Sequence, residues 1–200
     1  MTMIIATCGR TKLARWLSAY LAPPCLPVAV GATVSLRLTW PHPGGLLWGL
    51  FGSGTWALLC AAMALFGARL GGWPSLTPSR RGPRLLLLSA SAVAGVCVWL
   101  LCVRLGAPAH LLSVGRTAPL LAALVLACTL ATNVSLHAAS AAASVTLLVL
   151  HLGTGWAVLY LLVAAVGWSR LHLRVHTPLQ VLAGASLGTS VCAAVVLLHR

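Results

Sequence analysis

The 200-residue chain contains no aspartate and no glutamate. That absence removes whole classes of chemistry at once. The paired carboxylates of glycoside hydrolysis are excluded, as are the carboxylate cage of a Ca²⁺ or Mg²⁺ site and the Walker-type Mg²⁺ acid. So is the carboxylate relay of an ion-coupled transporter. Charge of any sign is scarce, 6% of residues against roughly 25% in an ordinary soluble domain. The seven cysteines (8, 25, 60, 97, 102, 128 and 192) form no CxxC pair and fall mostly in apolar runs, which argues against a disulfide framework or a zinc site. Any chemistry must rest on His, Arg, Ser, Asn, Gln, Cys or Tyr.

What is present is hydrocarbon. Apolar residues make up 60% of the chain and the mean hydropathy is +1.01. Several uncharged runs reach the ~20 residues that cross a bilayer. The fold class is therefore all-α, a polytopic transmembrane helix bundle. Seven runs stand out: 17–36, 46–68, 85–103, 111–132, 136–151, 154–168 and 178–198. Pro23, Pro24 and Pro27 would kink the first or make it re-entrant, so the expected count is six or seven spans. Thr117 to Leu150 carries no Lys or Arg but is too long for one span; the polar Asn133-Val-Ser-Leu-His137 is where it must break. Arg10, Lys12 and Arg15 precede an apolar run too long for a cleavable signal. Trp16, Trp40, Trp48, Trp73 and Trp168 lie near expected span ends, as an aromatic belt would.

The 13 cations have no acids to pair with, so lipid phosphates or an anionic ligand must meet them. They are scattered between spans, with no basic domain and no interleaved aromatics, which excludes nucleic acid as a partner. With seven spans, one side holds residues 10, 12, 15, 69, 80, 81, 84, 170 and 174, and the other holds 37, 104, 116 and 200. The positive-inside rule assigns the richer side to the cytoplasm. His42, His110, His151 and His199, with Arg104 and Arg116, read as interfacial anchors.

Two helix starts fall on the richer side. Thr177-Pro178 reads as an N-cap followed by proline at the first helical position. It puts His176 just ahead of a helix N-terminus, with Gln180 in reach of its ring and Arg170 ending the preceding span. Ser135 can cap the helix that follows the 133–137 break, with His137 in its first turn. Two helix dipoles, two imidazoles, a hydroxyl and a guanidinium on one side suit a phosphate. The small-xxx-small face of Gly184 and Gly188 would let the two helices approach closely. His172 and His176 have the i, i+4 spacing of a metal pair, but with no acid and no third ligand nearby no metal is expected. Arg170 and His176 as simple membrane-surface anchors are the plainer alternative.

At these residues the chain resembles the type 2 phosphatidic acid phosphatase (PAP2) family of membrane phosphatases, in particular a degenerate actinobacterial-type member. "SRLHLRVHTPLQ" is similar to the third family signature, Ser-Arg, five residues, His, three residues, Asp, with Gln180 in place of the Asp. "VSLH" is similar to the Ser-x-His of the second, and "LGAP" at Leu105–Pro108 also resembles that branch. The likeness runs over about residues 104–190, dividing the chain into 1–103, N-terminal spans with an Arg-rich loop, and 104–200, a PAP2-like four-helix core.

The resemblance implies metal- and cofactor-free hydrolysis of a lipid or polyprenyl phosphate or diphosphate in a bacterial plasma membrane. His176 would be the nucleophile, His137 the general acid and Gln180 the orienting group, while Arg170, Ser135 and Asn133 would bind the phosphoryl oxygens. The family's first signature, Lys-x6-Arg-Pro, is absent, and Asn133 stands where the actinobacterial branch has Lys. Arg80, Arg81 and Arg84 are the candidates to replace that charge. The alternative is a catalytically inactive PAP2-like scaffold that binds lipid headgroups or partner helices.

Overall fold

The structure, a computed structural model, describes residues 2–42, 44–69 and 81–198, with side chains from residue 9 onward. Trp73, Arg80, His199 and Arg200, to which the sequence gives surface or substrate-side roles, lie outside the described residues. Among the described residues the chain is helical and has no strand. The helices are α1 Thr2–Tyr20, α2 Cys25–Thr39, α3 Gly44–Gly49, α4 Thr55–Arg69, α5 Arg81–Arg104, α6 Ala109–Thr129, α7 Leu136–Leu152, α8 Tyr160–His172 and α9 Pro178–Leu197. A π-helical segment, Leu50–Gly54, joins α3 to α4 in one run, Gly44–Arg69. Thr154–Leu159 leads into α8 as a 3₁₀ turn, after Gly153 has reversed the chain at φ 104°, a conformation cheap only for glycine.

Among the described residues five helices are long and apolar enough to cross a bilayer, and the bent α1–α2 pair, counted as one span, makes six. Their outward faces carry exposed Leu, Val, Phe and Trp, the surface expected against lipid. The first apolar run differs from its sequence outline. Instead of one kinked span over 17–36, α1 ends at Tyr20, the chain turns at 21–24, and the axes of Gly9–Tyr20 and Cys25–Thr39 differ by 55°. Pro23 and Pro24 fall in the turn, while Pro27 sits in the first turn of α2, where its missing N–H costs no helix bond. Arg10, Lys12 and Arg15 are therefore helical residues of α1, rather than a tail ahead of a span.

α7 is the exception to lipid exposure. It is the shorter apolar helix, and every residue from His137 to Leu148 is buried. A helix enclosed on all sides by other helices needs small side chains, and the run Ala138–Ser144 holds only Ala and Ser. α9 packs closest: a Cβ on Gly184 or Gly188 would stand 2.5 Å from the Ser135 carbonyl oxygen or 2.1 Å from that of Ala139. Val30 and Val34 of α2, Leu121 and Val125 of α6 and Val191 of α9 complete the core around it. Ser140 donates to the Pro23 carbonyl at 3.2 Å, and Thr146 pairs with Tyr160 of α8 at 2.8 Å.

Five segments meet at one end of this bundle: the start of α5, the α6–α7 break, the end of α8, the start of α9, and α1. Arg81 donates to the Leu130 carbonyl and Arg84 to that of Val134, tying the start of α5 to the α6–α7 break. Ser135 N–H donates to the Gln180 carbonyl at 3.0 Å, tying that break to the start of α9. Arg170 donates to Ser18 Oγ and Thr11 pairs with His172 at 3.2 Å, which brings in α1.

Candidate functional site

The geometry at that end is built from two helix caps. Thr177 caps α9: its Oγ1 accepts from Gln180 N–H at 3.4 Å, and Gln180 Oε1 accepts from Thr177 N–H at 3.1 Å. This reciprocal box satisfies two of the free N–H groups of the helix start. The same Oε1 lies 3.2 Å from Nδ1 of His176. A backbone N–H can only donate, so the Gln180 atom facing Thr177 is oxygen; an oxygen that only accepts then requires the proton on His176 Nδ1. Nε2 is left as the bare, nucleophilic nitrogen. The cap thus selects the tautomer.

Ser135 caps α7, its Oγ accepting from Ala138 N–H at 3.4 Å, and is fully buried. That use leaves the hydroxyl proton as a donor. His137, the second residue of α7, is buried; its ring faces the Ser18 carbonyl, lies near His176 and interacts with the charges of Arg170 and Arg84. Both guanidinium groups are part-buried, and the Nε of Arg84 and of Arg170 is buried without a hydrogen-bond partner. The two like charges lie side by side, each with an unused donor, and meet no acid anywhere in the sequence.

His176 is half-buried between these groups. Burial pushes its pKa below the ordinary imidazole value of 6.5; the bond to Gln180 opposes this, the charges of Arg170 and Arg84 add to it, and the Asn133 carbonyl beside the ring opposes it weakly. The net direction is down, so the ring is neutral near pH 7.

Of the residues marked by the sequence, His137, His176, Arg170 and Gln180 are brought together, with Ser135 directly beneath through its bond to the Gln180 carbonyl. Asn133 is exposed and meets His176 through its backbone carbonyl. His172 is turned elsewhere, stacked on Trp168 at 5.1 Å between ring centres and paired with Thr11. Among the described residues no three His or Cys groups are placed to hold a metal.

Arg84 enters the cluster from α5 as one of the three candidate replacement cations; Arg81 instead binds the Leu130 carbonyl at the same end. Ser18 has no counterpart in the sequence reading. It meets Arg170 through its hydroxyl and His137 through its carbonyl. The only signal for it was the Pro23-Pro24 break, which returns the N-terminal helix to the cationic end.

No family model matches this chain, and no characterised protein or solved structure matches it. What the fold defines is a class: an all-α bundle with helices suited to a membrane, carrying an acid-free cluster of imidazoles and guanidiniums at one end.

Proposed function

We propose that the protein is an integral membrane phosphatase of the PAP2 type, in a bacterial plasma membrane, acting on a lipid or polyprenyl phosphate or diphosphate. The observation that carries this reading is the pair of unpartnered guanidinium nitrogens, on Arg84 and Arg170, beside two imidazoles in a chain without a single acid. A phosphoryl group supplies the missing negative charge and accepts the idle N–H donors. His137 takes up a proton beside the bound phosphoryl anion; His176 Nε2 then attacks phosphorus, the bond to the leaving oxygen breaks, and His137 gives that oxygen the proton. In the second half, water attacks the phosphohistidine while His137 takes its proton, and inorganic phosphate leaves. Arg84 and His137 sit in first helical turns, His176 just ahead of the α9 cap and Arg170 in the last turn of α8, so little reorganisation is needed.

One observation favours a second reading, an inactive scaffold that only holds anionic headgroups: the partner of His176 is the neutral amide of Gln180. A carboxylate would stabilise the imidazolium, and its loss in a serine-protease triad costs about 10⁴ in rate. Incubating the purified protein with a ³²P-labelled prenyl monophosphate separates the two. Phosphate release, with acid-labile and base-stable label on the quenched protein, is expected; neither release nor label leaves the scaffold.

The pH dependence follows from the direction of the His176 shift. The nucleophile must be unprotonated, and its folded pKa lies below 6.5. On the acid side kcat/KM should therefore show no decline as pH falls through 6.5, and should decline only below it. An acid limb at or above that value in the measured profile contradicts the role given to His176.

A further inference from the structure

α1 turns two different faces to its surroundings. Thr11, Ala14 and Ser18, spaced i, i+3 and i+7, lie on α8: Ala14 is fully buried, Thr11 pairs with His172 at 3.2 Å and Ser18 receives Arg170. The opposite face carries Leu13, Trp16 and Tyr20 at the same spacing, each more than half exposed, with the two aromatic rings 4.6 Å apart. Exposed Arg10 and Lys12 flank that face, about a quarter-turn to either side. We propose that α1 is a surface helix that docks on an anionic bilayer through this outer face, and that docking holds Ser18 against Arg170 and His137, so that acidic lipids other than the substrate activate the site. The docking half stands on the geometry of α1 alone; the activation half rests on the phosphoryl-site reading above.

Three observations support the docking. The first is direction. Thr11 and Ser18 stand about 10 Å apart along α1, but their partners His172 and Arg170 stand only about 3 Å apart along the last turn of α8. α1 therefore crosses the end of α8 and does not run beside it, and its axis is bent 55° from that of α2. The second is depth. Ser140 donates to the Pro23 carbonyl, which puts the α1–α2 turn about 6 Å inside the start of α7 at Leu136. An interfacial helix sinks its apolar face to a depth of roughly 5–10 Å. The third is charge. Arg10, Lys12 and Arg15 are exposed, and the chain has no acid to pair with them. Three cations so close together are unfavourable in hydrocarbon but suit the headgroup layer of an acidic surface, with the aromatic face beside them. One residue then carries the coupling: the Ser18 hydroxyl accepts from Arg170, and its carbonyl meets the ring of His137.

The test uses the full chain in nanodiscs of phosphatidylcholine, alone or with one third phosphatidylglycerol. Amide exchange over residues 9–20, read by mass spectrometry, should slow on the order of tenfold with phosphatidylglycerol, since each cation near an acidic surface gains roughly fivefold in affinity. Hydrolysis of nitrophenyl phosphate should rise by about threefold or more. An acidic surface repels this soluble anion, so the rise cannot come from concentrating it. Arg10→Gln combined with Lys12→Gln should remove both effects and leave the rate in phosphatidylcholine unchanged. Ser18→Ala should keep the slowed exchange but lose the gain in rate, with KM raised because Arg170 is no longer held. Ser18→Thr, which keeps the hydroxyl, should restore both. Exchange over 9–20 that is equal in the two nanodiscs overturns the surface helix, whether α1 lies in hydrocarbon or against a second copy of the chain. A gain in rate that survives the double substitution, or that Ser18→Ala leaves whole, overturns the coupling. Slowed exchange with no hydrolysis in either nanodisc keeps the surface helix and removes the phosphatase. Hydrolysis equal in the two keeps the phosphatase and removes the activation.

Discussion

His176→Ala is expected to abolish phosphate release and trapped label together, a loss of at least ~10³-fold in kcat by comparison with other nucleophile deletions. The reason lies in the tautomer. Only His176 has its Nδ1 proton fixed by Gln180, whose own orientation is fixed by the Thr177 N–H, so only its Nε2 is a prepared nucleophile. His137→Ala should behave differently. Removing a general acid costs roughly 10²–10⁴-fold when the leaving oxygen is an alkoxide, and much less when it is a nitrophenolate that needs no proton. The same variant should slow the attack of water, so label on His176 should accumulate with the aryl substrate. Comparing prenyl and nitrophenyl phosphates in both variants checks this. Release that survives His176→Ala would end the mechanism, whereas equal damage to both substrates by His137→Ala would remove its role as acid.

Much of this arrangement is legible in the chain because it depends on local chemistry. Thr177-Pro178 and Ser135 announce their helices through capping preferences that need no tertiary context. The Ala/Ser run after His137 announces a crowded helix, and α7 is the one enclosed on all sides. The break at 21–24 is written in Pro23-Pro24, but its consequence is not. Hydropathy marks the oily stretch from residue 17 and cannot tell that the preceding basic residues continue the same helix, or that this helix returns to pack on α8 through Thr11 and Ser18. Contacts of that kind pair a side chain with a carbonyl or hydroxyl more than a hundred residues away, with no periodicity to betray them. Arg84 illustrates the limit. The sequence places it on the correct side with Arg80 and Arg81, but only the fold shows which guanidinium reaches Val134 and enters the field of both imidazoles.

The second large effect should come from a residue that carries no chemistry at all. Gly188→Leu is expected to unfold the α7–α9 pair, because the obstacle it meets is backbone. A Cβ at 188 would stand 2.1 Å from the Ala139 carbonyl oxygen, 2.9 Å from its carbon and 3.1 Å from its Cα. No rotamer relieves such a contact; the helices must separate. Overpacking against side chains costs about 1–3 kcal/mol, and an unyielding backbone puts this site at the upper end or beyond. At roughly 2–4 °C per kcal/mol for a chain of this length, Tm in detergent should fall by about 10 °C. Gly188→Ala should show most of the effect, since the first carbon already clashes. Gly54→Ala is the control: nothing lies within 4 Å of a Cβ there, so Tm should hold or rise slightly. Gly184 joins the two effects. Its Cβ would stand 2.5 Å from the carbonyl oxygen of Ser135, the residue whose N–H binds the Gln180 carbonyl, so Gly184→Ala should pry apart the two helix starts themselves. Anion binding, read as the rise in Tm with added inorganic phosphate, should then weaken more than stability does. If Gly184→Ala and Gly188→Ala both keep the wild-type Tm, the helix starts do not meet and His137 and His176 do not share a ligand.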